Sequence, residues 1–176
     1  MRFVSYAACV LIATAACGGL KVGNAMITKG RANAPSNALA MVAAPLTRDH
    51  ALAVMKARHE GMEAIGDSSK AIHRAQSGPD LPEIRSKAAR IARLSQQASG
   101  WFPAGTGPDV AKTRAKPEIW QSSEDFAVKL RNFQAAAHAF NAAAAGNDAA
   151  AINSAFGQLS GTCKACHDKY RAEEHH

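Results

Sequence analysis

Near the end of the chain stands Cys163-Lys164-Ala165-Cys166-His167, two thiols one helical turn apart and an imidazole directly after the second. Three chemistries suit these residue types. A structural zinc ion would need two more ligands at matching spacing, but the other histidines are scattered and the other two cysteines, Cys9 and Cys17, lie near the start. A thioredoxin-like redox pair opens a helix after a strand, and no strand-like run precedes Cys163. Covalent haem attachment uses the C-x-x-C-H pattern itself. Each thiol can add to one vinyl group of the haem, and the next residue brings its imidazole to the iron. The preferred reading is haem attachment.

These side chains need a helix to carry them. The chain has 176 residues, enough for one domain with a leader. Met1-Arg2 followed by FVSYAACVLIATAACGGL is a short positive start before an apolar run of small residues. The run is too short and alanine-rich for a membrane span, so residues 1–46 are read as a signal peptide and linker. Both Ala13-Thr14-Ala15 and Ala38-Leu39-Ala40 fit a small-x-small cleavage site, and Cys17 offers lipid attachment as an alternative. Four of the 21 basic residues and no acid fall in this stretch, leaving 17 bases against 14 acids and a net +3. That balance, with no basic run, argues against a nucleic-acid surface.

From residue 47 the pattern turns helical. Thr47 is placed to cap a helix in which Met55, Arg58, Met62, Ile65, Ser69 and Ile72 step by three and four. After the breaker GPDLP, a second helix from Glu83 to about Ser99 aligns Ile84, Ala88, Ile91 and Leu94. A long connection, WFPAGTGPDVAKTRAKP, either crosses the end of the bundle or covers a cofactor edge. Ser122 and Asp125 form a capping-box-like start to a third helix with Phe126, Leu130, Phe133, Ala137, Phe140 and Ala144 inward. A fourth helix carries Ile152, Phe156, Leu159, Cys163, Cys166 and Tyr170 in the same rhythm. Four such stripes give an all-α fold, an antiparallel four-helix bundle with covalently attached haem.

The bundle with CKACHDKYR in its last helix, Arg58 and Met62 in its first, and the Trp101–Trp120 connection with KPEIW resembles the class II c-type cytochromes, cytochrome c′ and its c-556 relatives. The resemblance covers roughly residues 47–174 and marks 47–176 as the cytochrome domain. It implies one haem c, joined through Cys163 and Cys166, with His167 on the iron and Met62 over the opposite face. It implies Arg171 beside the proximal imidazole, the alternative being a favourable cation in a last helical turn. Arg58 on an inward stripe suits a haem propionate, the alternative being a snorkelling side chain at the bundle edge.

Met62 fits two outcomes. As a ligand its thioether gives a six-coordinate, low-spin electron carrier; as a lid it leaves a five-coordinate iron open to NO or CO. The preferred expectation is ligation and single-electron transfer, because Gly61 lets the helix backbone approach the ring and Trp101-Phe102-Pro103 looks like the c-556 branch. His59, the rival ligand, is expected to face outward, and His73 and His138 to be surface or boundary residues. The expected setting is periplasmic, with redox proteins as partners, NO or CO as ligands in the alternative, and a homodimer through the first two helices as the family often forms. No nucleic acid, no stable membrane insertion after processing and no enzymatic residue pair is expected.

Overall fold

The computed structural model describes residues 46–78 and 80–173. The expected leader with its cleavage motifs, Cys9 and Cys17, and the tail histidines His175 and His176 lie outside them. Five helices follow in order: α1 (Arg48–Ala75), α2 (Leu81–Gln97), the short α3 (Glu118–Gln121), α4 (Ser123–Ala145) and α5 (Ala149–Tyr170). The four long ones form the bundle. Among the described residues there is no strand, only an isolated bridge between Ala115 and Arg171.

Local chemistry sets the helix ends. Thr47 accepts a hydrogen bond from the His50 amide at 3.3 Å, as the sequence predicts for a cap. α2 begins two residues before the expected Glu83, because the Asp80 carboxylate accepts from the Glu83 amide at 3.0 Å and Pro82 sits in the first turn, where its missing N–H costs nothing. Asp148 caps α5 through the amides of Ala150 and Ala151, at 2.9 and 3.2 Å. The expected capping box at Ser122 does not form. Ser122 makes no side-chain cap bond, and the Asp125 carboxylate is turned to α5 instead.

α1 packs along α2, α2 along α4, and α4 along α5, while α1 and α5 make no comparably extended backbone contact. At one end of that seam Gln76 donates to Asn153 at 2.6 Å. The antiparallel order then sets the first half of α1 at the same end of the bundle as the second half of α5.

The inward stripe of α4 is as expected: Phe126, Phe133, Ala137, Phe140 and Ala144 are buried, with Leu130 half-buried. On α1 the buried face is rotated slightly from the predicted stripe. Gly61 and Ser68 are buried where Met62 and Ser69 are half-buried. Ile72, Ile91, Phe140, Ile152 and Leu159 bring all four long helices into one core. Removing each such side chain from water contributes about 1.5–3 kcal/mol.

Candidate functional site

Cys163 and Cys166 lie on α5 as free thiols, both half-buried. Cys163 packs against the main core, as does Met62 from α1. Cys166 packs against a second cluster built on Ile119, Phe126 and Tyr170. Burial raises both thiol pKa values above the ordinary range, so they are protonated at neutral pH. Among the described residues no group of three or more His, Cys, Asp or Glu side chains gathers where it could hold a metal. Among the described residues the thiols therefore lack the extra ligands a zinc site needs.

His167 follows on the same helix. It is exposed by area, yet the atoms around it still lower its pKa through desolvation, and the charges of Arg171 and Arg114 lower it further. The neutral imidazole, the form with a lone pair to give a metal, is thus favoured at pH 7. Arg171 is also exposed, one turn on, and its amide donates to the His167 carbonyl at 3.0 Å.

Arg58 is buried, 5 % exposed, and reaches into the connection between α2 and α3. Nη1 donates to the Trp101 carbonyl at 3.2 Å and to Thr106 Oγ1 at 3.3 Å. Nη2 donates to the Thr106 carbonyl at 3.0 Å and to Thr113 Oγ1 at 3.2 Å. The guanidinium also stands over the rings of Phe102 and Trp120, at 5.1 and 5.9 Å from their centroids. Burial lowers its pKa. Each of these partners is neutral, so an added carboxylate would be welcome beside the cation. This is not the side chain of a bundle-edge arginine reaching for water.

The connection is accordingly more ordered than a plain loop. Gly105 takes φ +79°, a left-handed backbone suited to glycine, and Thr106 is fully buried. Thr106 and Thr113 are functional-looking residues that pattern reading misses. Their only sequence signal is two hydroxyls inside a Pro/Gly-rich stretch with no helix end to cap.

The expectation for Gly61 needs correction. The space above its backbone is taken by Trp101. A Cβ at Gly61 would overlap Cη2 and Cζ2 of that indole and stand 3.0 Å from Cζ3. Gly61 therefore admits a tryptophan from the connection. His59 faces outward, as expected, and pairs with Glu63 at 3.3 Å. His73 and His138 are exposed, and His138 shares a 2.8 Å hydrogen bond with Gln96.

Two thiols and an imidazole on one bundle helix, with Met62 of α1 packed on the same core cluster as Cys163, are the donor set for a haem held through sulfur. Among the described residues, no helix is long and apolar enough to cross a membrane.

The comparisons agree on that class. The chain belongs to the cytochrome c′ family: the family profile described as Cytochrome C' matches residues 53–171. It is 33% identical over 121 residues to cytochrome c' of Pararhodospirillum photometricum, covering 68% of this chain and 96% of that one. The crystal structure of cytochrome c' from Thermochromatium tepidum superposes with a TM-score of 0.66 at 32% identity, covering 73% of this chain and 98% of that one. A nitric oxide complex of a mutant cytochrome c prime from Alcaligenes xylosoxidans gives 0.64 at 27%, covering 70% and 97%. The protein is a haem c-type cytochrome, and its cofactor is one covalently bound haem c.

Proposed function

We propose that this is an exported, periplasmic haem protein whose iron is five-coordinate and open to NO or CO, with Met62 as a lid over the open face. The family match over residues 53–171, to proteins named cytochrome c′, carries this reading. The nitric oxide complex in a relative of the same fold supports it. The expectation of Met62 ligation yields to this alternative because the family match fits it better and because Gly61, one of the two features that favoured ligation, serves Trp101 instead. Met62 packs against apolar core, and a thioether in that setting works as flexible filling.

When bound, the haem supplies reversible one-electron and small-gas chemistry. The chain's residues hold and enclose it. Cys163 and Cys166 would attach it to α5, and His167 would give its neutral nitrogen to the iron. Arg58, already fixed by Thr106 and Thr113, would meet a propionate. Arg171 would keep positive charge beside the imidazole. Met62 would exclude water from the remaining face. No residue pair is assigned a catalytic role, and single-electron exchange with redox proteins remains compatible with this arrangement.

Carbon monoxide tests the reading. The dithionite-reduced protein should take up one CO per haem without needing any substitution. Binding that appears only in Met62→Ala would return Met62 to the iron and defeat the proposal.

A further inference from the structure

We propose that Trp101 is a positioning residue for Met62, holding the thioether over the open haem face from its seat on Gly61. This rests on the placement of Met62 over that face. The indole fills the space that any side chain at Gly61 would need, with overlap at Cη2 and Cζ2. Trp101 is 7 % exposed, so it has little room to swing away. Its amide donates to the Ala98 carbonyl at 3.2 Å, and its carbonyl accepts from Arg58 Nη1 at 3.2 Å.

The connection therefore grips α1 twice within one turn, at Arg58 and at Gly61. Met62 is the next residue along the backbone, and it packs on the core cluster to which Trp101 belongs. Without the indole, a ring-sized void opens above Gly61, one residue from Met62 and within the core cluster on which Met62 packs. Voids in packed cores are costly, and methionine, with three rotatable bonds, is well suited to filling them. The thioether then leaves the face it covered. A tryptophan that only fills core would affect stability and leave that face unchanged.

The test uses the mature holoprotein, with folding checked by far-ultraviolet circular dichroism. CO association to the reduced protein is timed in Trp101→Ala, Met62→Ala and the double variant. Trp101→Ala should speed association about tenfold, and the double variant should be little faster than Met62→Ala alone, because sites coupled through one cavity act non-additively. Trp101→Phe should fall between wild type and Trp101→Ala. A folded Trp101→Ala with a lower melting temperature but the wild-type CO rate overturns the inference, as do effects that simply multiply. Should Trp101→Ala fail to fold, Trp101→Phe and Gly61→Ala, which crowds the indole from below, carry the test, and wild-type rates in both overturn it. Low-spin wild-type iron bound by Met62 would end the five-coordinate reading but not this one. In that case Trp101→Ala must lower the low-spin fraction, and an unchanged fraction overturns the positioning role.

Discussion

Arg58 and Thr106 are joined twice: Nη1 donates to the threonine Oγ1 at 3.3 Å, and Nη2 to its carbonyl at 3.0 Å. Thr106 Oγ1 in turn donates to the Pro103 carbonyl at 2.8 Å, so one buried hydroxyl links the first helix to the turn of the connection. Thr106→Val keeps the shape and removes both roles. It should cost about 1–3 kcal/mol, the usual penalty for leaving buried polar partners unmet. Urea unfolding measures this, and a change within about 0.5 kcal/mol, typical of surface substitutions, would show that the link is ornamental.

Tyr170 donates to Asp125 Oδ2 at 2.6 Å, and Lys169 donates to the same oxygen at 3.0 Å. The Tyr170 hydrogen bond, then that of Lys169, lowers the Asp125 pKa in the folded protein. A carboxylate depressed in this way contributes stability above its unfolded pKa, about 4, and loses that contribution as pH falls through the lower folded value. Asp125→Ala should therefore lower the melting temperature at pH 7 and have a progressively smaller effect below pH of about 4. A difference that stays constant into acid would assign the effect to packing.

Phe140 is fully buried and meets Phe156 at 5.3 Å between ring centroids. Phe140→Ala should destabilise the bundle by about 3–5 kcal/mol through lost burial and an unfilled cavity. Chemical denaturation reads the value directly. A loss under about 1 kcal/mol would mean that this part of the core collapses freely.

Cys163 and Cys166 are proposed to form one thioether each. The mature protein should retain its haem under denaturing mass spectrometry. Cys163→Ser with Cys166→Ser should release it, while His167→Ala should keep the covalent mass and change the visible spectrum. Haem lost from the wild type on denaturation would disprove the attachment.

The bundle was legible because it follows from short-range periodicity. Phe126, Phe133, Ala137, Phe140 and Ala144 are buried where their spacing puts them. The C-x-x-C-H run was legible for the same reason, since its chemistry is local. Contacts across the chain were not. Trp101 reaches α1 43 residues from its hydrogen-bond partner Arg58, and nothing in the neighbourhood of Gly61 announces an indole above it. The Ser122 capping box looked sound locally, but Tyr170, 45 residues away, claims Asp125. The stripe on α1 was read one residue off in places, with Gly61 and Ser68 buried where Met62 and Ser69 are half-buried.

The ferric absorption spectrum tests the coordination most directly, recorded on the wild type and on Met62→Ala. A five-coordinate iron held by His167 alone predicts a high-spin spectrum in both. A low-spin wild type that turns high-spin when Met62 is removed would contradict it.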